Sequence, residues 1–386
     1  MNGDPSLGVL FHWIGGLAAA SFYLPYKGVR GWSWETYWLI GGLFSWIVAP
    51  PLLAMTFVPG TWDVIANAPP RTLIWTFVFG LLWGVGGLTF GLTVRYLGVA
   101  LGYAVALGFC AAFGTLLPPV FEGKIGDIAA STGGKITLLG VGICLIGIAL
   151  SGLAGKSKEA EMSEADKRSS VREFAFGKGL TIAVLCGIMS ACMAFAFASG
   201  KPIGDAAAVR LAAEGRLAIW QKLPILVVVL WGGFLTNLIW CLILHVRNGS
   251  GVEYVRGTTT SAASAVDAHG VVVGVDVGGV AGDTVPLSRP VPLVANYALS
   301  ALAGVTWYFQ FFFYSMGETK MGDYGFSSWT LHMASIIIFS TLWGVALKEW
   351  RGSSRRTHTL IALGLAVLVA STVVVGYGTY LDTVAK

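Results

Sequence analysis

The chain has 386 residues, 55% of them hydrophobic and 12% charged, with a formal net charge of +5. A soluble domain carries about a quarter charged residues, so an aqueous globule is excluded, and the modest positive charge is scattered through the loops and offers no basic face to a nucleic acid. Low-charge stretches of about twenty residues recur along the chain, the length a helix rising about 1.5 Å per residue needs to cross a hydrocarbon core about 30 Å thick.

Apolar runs able to span fall at 6–26, 37–58, 72–94, 97–120, 136–154, 177–200, 223–246, 291–316, 326–347 and 358–380. They predict an all-α polytopic membrane protein of about ten transmembrane helices. No Lys or Arg precedes the first run, so it lacks the positive region of a secretory signal and is expected to be retained. Pro50-Pro51 and Pro118-Pro119 mark helix interruptions near one membrane face. The mixed-charge segment 155–176 reads as a linker between a first unit, 1–154, and a second, 177–386. Residues 201–222 are too charged to span and read as a short surface helix. Residues 249–290 are rich in Gly, Thr, Ser, Ala and Val and read as a flexible insertion, in which Val271 to Val273 and Val275 can form a short strand.

The two units look related. Trp83, Phe90 and Gly98 recur as Trp307, Tyr314 and Gly322 at one constant offset. Units of five spans, an odd number, must enter the membrane in opposite directions, so the expected architecture is two inverted five-helix repeats. Lys and Arg gather on one side of this arrangement, which the positive-inside rule places in the cytoplasm, with both termini outside.

Polar groups at bilayer depth are expensive and are functional candidates. His12 sits about a third of the way into the first span, on a face shared with Gly16, Ala19 and Tyr23. It either belongs to a site or hydrogen-bonds a carbonyl near the headgroups. Trp307, Gln310 and Tyr314 share one stripe of the eighth span, two flat rings and an amide, a set that suits a sugar's C–H faces and hydroxyls. Aromatic stripes also arise from helix packing, but a lipid-facing glutamine is costly. In the ninth span Trp329 and His332 lie three apart, and a histidine there can take up a proton near physiological pH. Trp83, Thr89 and Thr93 of the third span are candidates for the same cavity, and Arg95 at its end either joins them or snorkels to the headgroups. Lys27 and Lys201 read as interfacial anchors, and Trp32, Trp34 and Trp38 as an aromatic belt around an exposed Glu35.

The first span holds no acidic residue, which disfavours a carrier of cationic drugs, and mid-membrane Lys and Arg are lacking apart from Arg95, which disfavours phosphorylated substrates. Cys110, Cys144, Cys186, Cys192 and Cys241 all fall in apolar runs without metal-type spacing and read as inert buried thiols. No hydrolase or P-loop pattern occurs, so neither an enzyme nor an ATP-driven pump is indicated, and no cofactor is called for.

At these residues the chain resembles the L-rhamnose/proton symporter family of the drug/metabolite transporter superfamily. The resemblance rests on His12-Trp-Ile-Gly with Phe22-Tyr23-x-Pro25-Tyr26-Lys27, and on Trp32-Ser33-Trp34-Glu35-Thr36 with Gly41-Gly42 and Ser45-Trp46. Trp83-Gly84 with Tyr96-Leu97-Gly98, the run Trp307 to Tyr314, Trp329-Thr330-Leu331-His332-Met333 and Leu347-Lys348-Glu349-Trp350 carry it further. It departs from the family pattern at 249–290 and at Thr89, near which the family tends to carry an Asn. The resemblance implies ten spans, a bacterial-type inner membrane, and uptake of L-rhamnose or a related sugar with protons. The expected site is then Trp83, Trp307, Gln310, Tyr314 and Tyr23 around the sugar and His332 and His12 for the proton, with lipid as the other partner. An exporter of another small neutral metabolite in the same superfamily is the alternative.

Overall fold

A computed structural model describes residues 4–97, 99–161, 176–259, 265–266, 272–273, 289–348 and 350–384. Among them run ten long helices: α1 (Pro5–Ser21), α2 (Trp34–Phe57), α3 (Pro70–Leu97), α4 (Val99–Phe121), α5 (Thr132–Glu161), α6 (Phe176–Ser199), α7 (Leu223–Asn248), α8 (Leu293–Lys320), α9 (Ser328–Ala346) and α10 (Arg355–Val384). The protein is an all-α, multi-pass membrane protein. Its outward side chains include Leu10, Leu52, Ile74, Leu139, Ile146 and Val373, the apolar coat that a lipid solvent requires.

Eight of the helices are long and apolar enough to span by composition alone. Of α4, only the shorter stretch Val105–Phe121 registers. α8 does not register although it has 28 residues, because it carries Asn296, Ser300, Gln310, Tyr314 and Ser315, all buried against other helices. Its polarity marks a helix enclosed by protein.

Local chemistry sets the ends. Asp4 caps α1 by accepting a hydrogen bond from the Leu7 N–H at 3.1 Å, with Pro5 at the first helical position. α1 closes at Ser21 and a separate turn, Tyr23–Tyr26, continues the expected span. α2 contains a π-helical turn, Leu43–Val48, directly before Pro50 and Pro51. The wider turn takes up backbone that the two prolines, which donate no hydrogen bond, leave unpaired. Pro118 and Pro119, by contrast, sit in the closing turns of α4, which runs on to Phe121.

Contacts between the first five helices and the last five come in mirrored pairs. α1 packs on α8 and α9, as α6 packs on α3 and α4; α2 packs on α8, as α7 packs on α3. α4 meets α5 as α9 meets α10, while α5 meets α10 and α4 meets α9 across the middle. Glycine makes the closest approaches: a Cβ on Gly304 would strike the Gly41 backbone, and one on Gly80 or Gly232 would strike the backbone of the facing helix in the α3 and α7 pair.

Several local expectations change. Glu35 is not exposed but 4% exposed, because Ser250 and Asn248 at the end of α7 donate to its Oε1 at 2.6 and 2.9 Å. Gly249, at φ 64°, ends α7 and turns the chain so that Ser250 can reach. Ser250 spends its single hydrogen on Glu35 and therefore accepts from His245 Nδ1 at 2.8 Å, which leaves His245 Nε2 to accept from the Tyr254 hydroxyl at 2.9 Å. The 201–222 stretch forms the helix Lys201–Ala213, with Ile203 and Leu211 buried, and the turn Ala218–Trp220. Val272–Val273 pairs antiparallel with Ala265–Val266, whereas Val271 and Val275 lie outside the described residues, as do the Arg95 side chain and residues 162–175 of the mixed-charge linker. The five cysteines are buried and free, with Cys110 and Cys186 sulfurs 4.0 Å apart across α4 and α6.

Candidate functional site

α1 presents Gly8, His12, Gly15, Gly16 and Ala19 on its buried face. This is helical spacing with almost no side chain except the imidazole, so α8 and α9 close directly on the α1 backbone. A Cβ on Gly15 would stand 2.8 Å from the Gln310 carbonyl oxygen, and one on Gly16 would collide with Ser335. Ser335 Oγ lies 2.9 Å from the carbonyl oxygens of His12, Leu331 and His332, tying α9 to α1 at the level of both histidines.

The result is a tight group of rings. His12 and Tyr314 have centroids 5.4 Å apart, Tyr314 and His332 5.3 Å, and the two histidines 6.4 Å. Trp329 stands edge-on to Tyr314 at 5.7 Å, held by its indole N–H on the Cys110 carbonyl oxygen at 2.9 Å. Both histidines are 0% exposed. No water-sized space touches either imidazole. All four ring nitrogens lack a hydrogen-bond partner, and among the described residues no other side chain has two buried polar atoms left this way. Unpaired polar groups inside a low-dielectric interior are expensive, so a fold that keeps four in one place retains them for something other than stability.

An aromatic wall adjoins this group. Phe311 lies 6.3 Å from both Tyr314 and His332, and 5.2 and 5.4 Å from Trp307 and Trp83. Trp83 and Trp307 are themselves 5.8 Å apart, and Trp46 meets Trp307 at 5.3 Å. Gln310, 6% exposed, lies on the α8 turn between Trp307 and Tyr314, with its backbone against Gly15. The structure thus brings together His12, Tyr314, His332, Gln310, Trp307 and Trp83. Tyr23 stands apart: it lies beyond the end of α1, stacked 6.3 Å from Trp38 among Phe22 and Tyr26. The Thr89 and Thr93 hydroxyls turn back on their own helix, donating to its carbonyl oxygens at 2.9 and 3.0 Å.

His12, His332 and Tyr314 leave no sugar-sized opening among themselves. A hollow of about 10 Å³, room for one water, lies among Phe22, Tyr26, Trp38, Ser45, Trp46 and Trp307. The structure is closed around the site. Sequence reading did not assign Trp46, Phe197 or Phe311 to the site, aromatic residues in aromatic-rich runs that nothing local separates from packing. It also missed Asn237, which accepts from the Trp38 indole N–H at 3.2 Å and so holds one side of that hollow. Among the described residues no cluster of His, Cys, Asp or Glu is arranged to hold a metal.

The helices and this enclosed group define a polytopic membrane protein with buried polar groups held between its helices, the organisation of a carrier. Known proteins match it over almost its full length. It is 36% identical to an L-rhamnose-proton symporter of Cronobacter sakazakii and to one of Klebsiella pneumoniae, and 35% identical to one of Yersinia pestis, each over 98% of this chain and 99% of the relative. The family model described as L-rhamnose-proton symport protein (RhaT) matches residues 1–252 and 278–380, and the chain belongs to that family. The gap in the match falls inside the Gly- and Val-rich insertion.

Proposed function

We propose that this protein carries L-rhamnose across a bacterial-type inner membrane together with a proton, by alternating access. The observation that carries the reading is the group His12, Tyr314 and His332, enclosed between α1, α8 and α9 with both imidazoles unpartnered. Imidazole nitrogens without protein partners are available to a proton and to sugar hydroxyls once the site opens. The relatives named as symporters, 35–36% identical over 98% of the chain, support the choice of sugar.

In this reading His332 and His12 couple the proton, Trp83 and Trp307 flank the sugar's C–H faces, Gln310 and Tyr314 meet its hydroxyls, and Tyr23 serves the aromatic approach beside Trp38. Residues 1–154 and 177–386 form two inverted units joined by 155–176. The mirrored helix contacts support this, as does the offset that relates Gly80 and Trp83 of α3 to Gly304 and Trp307 of α8. Both termini lie outside, and rocking of one unit against the other opens the ring group to each face in turn. A proton moving through 100 mV supplies about 2.3 kcal/mol, enough for roughly fiftyfold accumulation of the sugar.

The test is counterflow of labelled L-rhamnose in proteoliposomes, against a panel of deoxy and ordinary hexoses, followed by accumulation under an imposed proton gradient. L-Rhamnose is expected to compete best, and His12→Ala and His332→Ala each to lower accumulation more than tenfold. Full accumulation by both variants defeats the coupling assignment, and no saturable counterflow defeats the carrier.

A further inference from the structure

One charged pair stands over the ring group. Lys222 Nζ lies 2.6 Å from Glu318 Oε1, with the side chains 20% and 17% exposed. Every other ion pair between described residues has both partners at least 42% exposed. The second carboxylate oxygen of Glu318, Oε2, is buried with no hydrogen-bond partner.

Neither charge suits its own helix. Lys222 caps the N-terminus of α7, the positive end of that helix dipole, and Glu318 stands in the last turn of α8, the negative end of its own. Local helix stability disfavours both residues. They are matched only to each other, across two helices from different parts of the chain.

Their position relates them to the histidines. Glu318 is one turn beyond Tyr314 on α8, and Gly317 between them abuts His12, whose ring would stand 2.9 Å from a Cβ there. Lys222 Nζ sits 5.6 Å over the Phe197 ring, and Phe197 lies 5.8 Å from Tyr314. The pair therefore closes the ring group toward the face where α1 begins. The titratable or charged groups around Glu318 are Lys222 from the start of α7, His12 from α1, and Tyr314 and Lys320 on α8. The Ala218–Trp220 turn brings none, and the Gly322–Ser327 turn sets Gly325 against it, the Asp323 and Tyr324 side chains being outside the described residues.

We propose that Glu318 is a proton-coupling residue acting ahead of the histidines, with Lys222 as the counter-charge that keeps the entrance shut until the carboxylate is protonated. This rests on the transport reading above. A proton from water on that face forms an O–H bond at the unpartnered Oε2, no covalent bond breaks, and the carboxylate becomes a neutral acid. Lys222 loses its counter-charge and its flexible stem swings away from Glu318 toward water. The sugar enters and the proton passes to an imidazole nitrogen of His12, which restores the carboxylate and the ion pair behind the sugar. The proton then leaves on the opposite face.

The experiment reconstitutes the full chain and its Glu318→Gln and Glu318→Asp variants and measures L-rhamnose counterflow from pH 5 to 8, then accumulation and proton uptake under an imposed gradient. Wild type is expected to show all three. Glu318→Gln should lose accumulation and proton uptake more than tenfold while the counterflow that remains no longer varies with pH; Glu318→Asp should recover coupling with a displaced pH midpoint. Wild-type accumulation by Glu318→Gln overturns the proposal and leaves the carrier reading standing. Absence of wild-type counterflow overturns both. If Glu318→Gln is not recovered folded, infrared difference spectra decide: wild type should show a carboxylic-acid C=O band on acidification that changes with L-rhamnose and shifts in Glu318→Asp, and its absence overturns the proposal.

Discussion

At the scale of single residues, the site is a matter of what has been removed around His12. Gly15 and Gly16 let α8 and α9 approach until Ser335 reaches the His12 carbonyl, so the imidazole is fixed by backbone contact and its nitrogens stay unused. Gly16→Ala inserts a methyl group into space that Ser335 occupies. Overpacking of this kind costs about 1–3 kcal/mol, and the variant is expected to lose thermal stability in detergent and most of its counterflow, whereas Gly87→Ala, with open space around it, should change neither. His12, His332, Gln310 and Tyr314 stood out in the sequence as candidates because a polar atom is conspicuous in an apolar run, and the structure buries all four. Glu35 was misread for the converse reason: at the head of a span beside tryptophans it looks solvated, and the donors that bury it, Asn248 and Ser250, lie more than two hundred residues on. The hydroxyls of Thr89 and Thr93 were ambiguous, since bonding to a helix's own carbonyl leaves no trace in spacing.

Among the helices, ends are held by side chains from distant elements. Glu161 at the end of α5 accepts from the Ser354 backbone N–H at 2.7 Å and from the Thr357 hydroxyl at 2.6 Å, capping the start of α10. These donors hold its carboxyl well below the usual range, at about 2. A lowered folded-state value means that the cap's contribution is complete above the ordinary carboxylate value of about 4.3 and fades as pH falls toward 2. Glu161→Ala should therefore melt earlier than wild type at neutral pH, and the gap in melting temperature should narrow on acidification from pH 4.5 to 2.5; a gap independent of pH would show that the cap is not electrostatic. Ten low-charge runs of about twenty residues marked where the ten long helices lie, but apolar composition by itself singles out only eight of them, because aromatic, amide and hydroxyl residues dilute the apolar character of α8. The π turn in α2 was not legible, because Pro50-Pro51 announces an interruption without saying which way the backbone will absorb it.

For the molecule as a whole, the mirrored contacts argue for two units of like build facing opposite ways, and orientation is the part open to direct measurement. The native thiols are buried. An impermeant maleimide applied to intact cells should label Asp127→Cys, in the short helix after α4, and spare Arg351→Cys, in the turn before α10; the reverse pattern would turn the protein over in the membrane. The closed state was not legible in any residue, since a sequence specifies every conformation of the cycle at once. The sealing of the two histidines has a bioenergetic meaning of its own. Protons hop along files of hydrogen-bonded water, and imidazoles with zero exposure interrupt any such file. In the proposed cycle a resting carrier built this way does not short-circuit the membrane: the cell's voltage is drawn down when the packed rings part during turnover.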